Sequence, residues 1–190
     1  MPEDSVELGK RLAELSQRSN DQTQVMLDLI LEHEKKSPQD HMSHVYKGWV
    51  YTMLGKYNRA RQSLEHALNL NPKSAWAHFR KGEVYQMEGE HAHALECFIK
   101  AVKLKPHRAD FWLEKAAEED ELHLLDQAMH SYEKAMKLGD KSGWAWYGTA
   151  RIQYVQGRKQ EAIESARKAS ADNPTEETFR RLEQDIKRQS

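Results

Sequence analysis

Two stretches of the chain, YKGWVYTMLGKYNRA from residue 46 and FRKGEVYQMEGEHAHA from residue 79, carry the same residues at one spacing. Lys47/Lys81, Gly48/Gly82, Val50/Val84, Tyr51/Tyr85, Met53/Met87, Gly55/Gly89 and Ala60/Ala94 are all separated by 34 residues. A single offset kept through seven pairs is an internal repeat, and a period of this size marks stacked supersecondary units that bury a continuous core only together. Two further series keep the period. Pro38, Pro72, Pro106 and Pro174 stand at steps of 34, 34 and 68, the missing member falling on Asp140. Ala60, Ala94, Ala128 and Ala162 recur every 34 residues, as do Ala67, Ala101, Ala135 and Ala169.

The frame predicts one array over 1–190, with units at 7–40, 41–74, 75–108, 109–142 and 143–176 and a tail at 177–190. Each unit reads as two helices. In 41–74 the first spans roughly Met42 to Leu54 and the second roughly Tyr57 to Leu70, with apolar residues at 57, 60, 64, 67 and 68 in three-and-four spacing. Gly55 supplies the turn between them. Gly48 and Ala60 are small where two antiparallel helices approach, and Tyr51 and Leu64 fill the space beside that contact; Gly82, Ala94, Tyr85 and Phe98 repeat the scheme. Proline after the second helix cannot continue it.

These residues resemble the tetratricopeptide repeat family. The motif covers 41–176 and is seen at Gly48, Tyr51, Ala60, Leu64, Ala67 and Pro72, then at Gly82, Tyr85, Ala94, Phe98, Ala101 and Pro106. Unit 109–142 keeps Trp112, Ala116, Ala128, Tyr132 and Ala135 but has Glu119 where an aromatic is expected. Unit 143–176 keeps Trp146, Ala150, Gly157, Ala162, Ala169 and Pro174 but has Gln153 in that slot and Ala166 in the later one. Unit 7–40 keeps Pro38 and little else, and is read as a degenerate terminal repeat. The resemblance implies an all-α right-handed superhelical solenoid of antiparallel helix pairs. Phe179, Leu182 and Ile186 make the tail a one-sided capping helix. At the other end Leu8, Leu12 and Leu15 form a stripe, and Asp4 with Glu7 fits a helix-start pattern.

The resemblance also implies that one face of each first helix lines a concave groove holding a peptide or another protein's helix. The candidate groove residues are Tyr46, Trp49 and Met53; then Trp76, Arg80, Glu83 and Met87; then Asp110 and Glu114; then Tyr147 and Arg151. Met42, Val45, Phe79, Leu113, Ala117, Asp120, Glu121, Trp144 and Val155 share those faces. Methionine and aromatic residues suit adaptable and energetically dominant contacts. The apolar part followed by acids predicts a partner that is amphipathic and carries basic residues. The run Glu118-Glu119-Asp120-Glu121 has two readings, a solvated helical face or an acidic zone of the groove. A carboxylate clamp of the kind used by chaperone-binding members is not expected, because Val45, Trp49, Arg80, Asp110 and Glu114 occupy its positions and only Arg80 fits.

Composition narrows the function classes. Net charge is −1, from 29 basic and 30 acidic residues, so no global field favours nucleic acid or an anionic membrane. Cys97 is the only cysteine, which excludes an intrachain disulfide framework and a multi-thiolate metal site and suits a reducing, cytoplasmic setting. No apolar run is long enough for a membrane span, and MPEDSVELGK has neither the basic start nor the apolar segment of a signal peptide. The histidines lack cysteine or carboxylate companions at ligand spacing, and no phosphate loop, paired-acid or Ser/His/Asp constellation is present, so neither a cofactor, a metal nor catalysis is expected. Two functional readings remain: a non-enzymatic interaction scaffold or adaptor, and a structural module that self-associates as a homo-oligomer through the same aromatic surface.

Overall fold

The computed structural model describes residues 3–17 and 22–188, where all regular structure is helical. The helices are α1 (Glu3–Ser16), α2 (Thr23–Lys36), α3 (His41–Met53), α4 (Tyr57–Leu70), α5 (Ala75–Met87), α6 (His91–Leu104), α7 (Ala109–Glu121), α8 (Leu125–Lys137), α9 (Trp144–Val155), α10 (Lys159–Asp172) and α11 (Glu177–Arg188). They form two compact units, Met1–Leu104 and Lys105–Ser190. Within each, successive helices pack as antiparallel pairs: α3 with α4 and α5 with α6 in the first, α7 with α8 and α9 with α10 in the second.

In the first unit the pairs close on small residues. A Cβ at Gly48 would lie 2.6 Å from Leu64 Cγ, and one at Gly82 would lie 2.6 Å from Phe98 Cε1. Ala60, Leu64, Ala94, Phe98 and Ala101 are completely buried at these contacts. The starts of α3 and α5 are capped by side chains: Asp40 accepts from the Met42 amide at 3.1 Å, and Ser74 accepts from the Ala77 amide at 3.3 Å. Asp4 does not start a helix; it lies inside α1, which already includes Glu3. Leu8 and Leu12 of α1, Met26 and Ile30 of α2 and Val50 of α3 form one apolar cluster, so the degenerate terminal repeat buries its stripe against the regular repeat beside it.

In the second unit Ala116, Ala128, Tyr132, Ala135, Ala145 and Ile152 form the core. The acidic run does not form the solvated face considered from sequence: Glu118, Glu119 and Asp120 are buried. Glu119 occupies the slot that Tyr51 and Tyr85 fill in the first unit. Its charge is matched by Lys115, one turn back on α7, and Ser131 Oγ on α8 donates to its Oε2 at 2.6 Å. Lys115 Nζ donates to the same hydroxyl at 2.9 Å. Gln153, the other departure from the motif, accepts from Ser165 Oγ at 2.7 Å, both groups being buried. Both departures from the aromatic slot are thus satisfied by a partner on the second helix of their own pair.

α11 packs along α10. Phe179 and Ile186 are buried, and the Phe179 ring meets Trp144 edge-on at 4.9 Å and Tyr147 at 5.5 Å between centroids. Gly143, which caps α9 with φ 85°, makes room for this ring: a Cβ there would stand 2.5 Å from Phe179 Cε2.

Candidate interaction faces

The first-helix face of the first unit is built by α3 and α5. Arg80 stands at its centre, with its guanidinium carbon 5.1 Å from the Trp49 ring centroid and 5.8 Å from those of Trp76 and Phe79. Glu83, one turn along α5, holds Arg80 Nη1 at 2.8 Å from both carboxylate oxygens. A planar, weakly hydrated guanidinium suits such ring contacts better than an ammonium. Met53, one turn beyond Trp49, and Met87, one turn beyond Glu83, are exposed, at 42% and 61%.

Not every residue expected on this face is presented. Met42, Val45 and Phe79 are buried in the interior, because three-and-four spacing turns them toward the neighbouring helices. Tyr46 is engaged by α1: its hydroxyl donates to the Ser5 carbonyl at 3.0 Å, and a Cβ at Gly9 would stand 2.3 Å from its oxygen. Burial, with the nearby Asp40 carboxylate, pushes the Tyr46 phenol up. Trp49 is half-buried against the cluster of α1, α2 and α3, so it serves the fold as well as the face.

The corresponding face of the second unit is built by α7 and α9. Leu113, Glu114 and Ala117 of α7, Tyr132 of α8, and Trp144, Tyr147 and Arg151 of α9 line a cavity of about 310 Å³. Tyr132 reaches it because α9 carries Gly148 opposite, where a Cβ would lie 2.2 Å from Tyr132 Cζ. Arg151 Nη1 is 3.5 Å from Asp120 Oδ2 and 3.9 Å from Glu121 Oε1. Asp120 Oδ2 is buried with no hydrogen bond, and burial raises the Asp120 carboxyl above its usual range, against the pull of Arg151. Asp110 is tied to Arg108, whose Nε donates to it at 2.8 Å. The expected acidic zone therefore carries arginines of its own.

The sequence-predicted residues fall into two local sets: Tyr46, Trp49, Met53, Trp76, Arg80, Glu83 and Met87 in the first unit, and Asp110, Glu114, Tyr147 and Arg151 in the second. The repeat motif marks Tyr132 only as a packing position; the signal for its second role is Gly148, the small residue that admits it. Among the described residues no three His, Cys, Asp or Glu side chains converge as a metal site, and no helix is long and apolar enough to cross a membrane. Burial raises the Cys97 thiol, leaving little thiolate at neutral pH.

The sequence pattern of the TPR repeat matches residues 48–89, and that of the tetratricopeptide repeat matches 75–108 and 116–177. The chain belongs to the tetratricopeptide repeat family. No curated protein sequence matches it. Solved structures share the tetratricopeptide fold at low identity. TTC0263, a thermophilic TPR protein of Thermus thermophilus, is 21% identical with a TM-score of 0.70, over 96% of this chain and 97% of that one. MamA (residues 41 to the end) from Desulfovibrio magneticus RS-1 is 18% identical with a TM-score of 0.71, over 93% and 98%. YrrB, described as a TPR protein with an unusual peptide-binding site, is 16% identical with a TM-score of 0.71, over 83% and 81%. At these identities the likeness is one of fold.

Proposed function

We propose that the protein is a non-enzymatic scaffold or adaptor that binds a peptide or a partner protein on its first-helix faces, in a reducing compartment such as the cytoplasm. The observation that carries this reading is the α3/α5 face, where exposed Met53 and Met87 flank the Trp49, Trp76 and Arg80 cluster. Flexible thioethers beside aromatic and arginine groups can repack around an incoming apolar side chain, which is how adaptable binding surfaces are made. The peptide-binding site of YrrB belongs to a protein of the same fold and supports the choice of ligand class.

The test replaces Met53 and Met87 together with Glu and compares this variant with Ile99→Glu, which alters an exposed apolar residue of α6. Both should fold, since the substituted side chains are exposed. Proteins captured by wild type should be lost by the Met53/Met87 variant and retained by Ile99→Glu. The opposite pattern would move the binding surface to the second helices. A wild-type dimer in sedimentation that becomes monomeric in the Met53/Met87 variant would replace the scaffold reading with self-association.

A further inference from the structure

α3 and α4 enclose a groove of about 350 Å³ that shares no residue with the first-helix face. His44, Lys47 and Tyr51, at three- and four-residue spacing, line it from α3. Arg59, Gln62, Ser63 and His66 line it from α4 in the same way. The two helices are antiparallel, so the ends of the groove pair. The His44 and His66 rings stack with centroids 4.0 Å apart, and Arg59 Cζ lies 5.9 Å from the Tyr51 ring centroid. Lys47 falls between these ends.

The lining holds two fixed cations and, among the described residues, no carboxylate. Glu34 on α2, outside the lining, answers one of them: its Oε2 is 3.1 Å from Lys47 Nζ and its Oε1 is 3.0 Å from His44 Nδ1. An ammonium has three donors, so Lys47 keeps N–H groups for a ligand. Arg59 has no carboxylate; among the described residues its guanidinium meets only the Tyr51 ring. Ser63 is spent, its hydroxyl donating to the Arg59 carbonyl at 2.9 Å. The excess positive charge is felt inside the groove: burial first, then the charge of His66, hold the His44 imidazole below its ordinary value, with Lys47 adding to them and Glu34 and Asp40 opposing. The other repeats answer this charge with an acid of their own. At the corresponding positions repeat 75–108 has Glu96 for Gln62, repeat 109–142 has Glu119 for Tyr51, and repeat 143–176 has Glu161 and Glu164 for Arg59 and Gln62. Repeat 41–74 is the one of the four that lacks such an acid.

We propose that the α3/α4 groove is a binding site for a phosphate group. A tetrahedral anion presents more acceptor oxygens than a carboxylate, and at about −1.5 to −2 in a phosphomonoester it carries charge for Arg59 and Lys47 together. Arg59 binds it through two N–H groups. Lys47 and Gln62 donate from the middle of the groove, and the His44/His66 pair takes up a proton as the anion arrives. The phosphate belongs to a phosphorylated side chain or is the free inorganic ion, and the recognising chemistry is the same for both. The site is separate from the first-helix faces and does not depend on the scaffold reading.

The test titrates the full chain, at constant ionic strength, with inorganic phosphate, with acetyl-Ala-phosphoserine-Ala-amide and with acetate. The readout is the His44 and His66 imidazole signals by nuclear magnetic resonance. Both phosphates should move these signals saturably, acetate should bind about tenfold more weakly, and His44 should titrate at higher pH with phosphate bound. Tighter binding of the peptide assigns the site to a phosphorylated segment, and tighter binding of inorganic phosphate assigns it to the free ion. Arg59→Gln should weaken phosphate about tenfold, the scale of one charge-assisted hydrogen bond. Lys56→Gln, which removes a charge near the groove but outside its lining, should weaken it less than about twofold. Gln62→Glu installs the acid that the next repeat carries as Glu96, so it should fold normally and abolish binding. The proposal is overturned if neither phosphate moves the imidazole signals, if acetate matches them, if Arg59→Gln and Lys56→Gln weaken phosphate equally, or if Gln62→Glu binds as wild type does.

Discussion

Positions 55, 89, 123 and 157 are 34 residues apart, and each adopts a left-handed backbone in the turn joining the two helices of a repeat. Three are glycines, with φ of 66°, 74° and 76°; the fourth is His123, at φ 58°. A side chain in this region crowds its own backbone, at a cost of roughly 1–2 kcal/mol that glycine avoids. The geometry is held by the turn: the His123 amide donates to the Asp120 carbonyl at 2.9 Å and the Leu124 amide to the Glu119 carbonyl at 2.8 Å. His123→Gly should therefore stabilise the second unit by about 1 kcal/mol, raising its melting temperature by several degrees. An unchanged or lower midpoint would show that the histidine ring contributes more than its backbone costs.

At the scale of the helix, the repeat frame was legible because close packing leaves a periodic trace: Gly48, Gly82 and the alanine series stand where a larger side chain would collide. The faces were less legible. Spacing places Met42, Val45, Tyr46 and Trp49 on adjoining sides of α3, yet Met42 and Val45 are covered by α4 and α5 while the cover over Tyr46 and Trp49 comes from the terminal repeat, whose sequence barely carries the motif. Nor does the motif show that Glu119 and Gln153 exchange aromatic packing for hydrogen bonds, since the partners Ser131 and Ser165 lie on other helices. The one-sided pattern of α11 was readable; its contact with Trp144 and Tyr147 was not, because Phe179 comes 35 residues after Trp144. Removing residues 177–190 strips two buried side chains, Phe179 and Ile186, each worth about 1.5–3 kcal/mol. The second unit should lose about 4 kcal/mol and melt more than ~10 °C lower. Trp144 fluorescence should shift to the red as its edge contact is lost. Unchanged melting would place α11 outside the cooperative unit.

Across the whole molecule the two units carry opposite responses to acid. In the first, His41, His44 and His78 all have imidazole values lowered from 6.5, mainly by burial. The unfolded chain then binds protons that the folded unit resists. The stability from these groups is complete above about pH 6.5 and is lost as pH falls through their lower folded values. In the second, Asp120 is raised from 3.8, mainly by burial. Its contribution has the other sign: it is present below the unfolded value and lost as pH rises through the folded one. On going from pH 7.5 to 5.5, hydrogen exchange should quicken in α3–α5 relative to α7–α9, and His44→Gln should reduce that difference. Equal quickening in both units would contradict the assignment. The units also differ in how their parts could be inherited. Glu119 of α7 depends on Ser131 of α8, and Gln153 of α9 on Ser165 of α10; at the corresponding positions the first unit carries Tyr51 with Ser63 and Tyr85 with Cys97. A recombination in the turn between α7 and α8 that brought in a helix with Cys97 at this position would strand a buried carboxylate without its hydroxyl. A recombination between repeats carries donor and acceptor together. In the second half of this chain the helix pair can be exchanged for any other repeat with its own buried partners, whereas a single second helix can be exchanged only for one that carries a serine at this position, as α4 does with Ser63 and α6 does not.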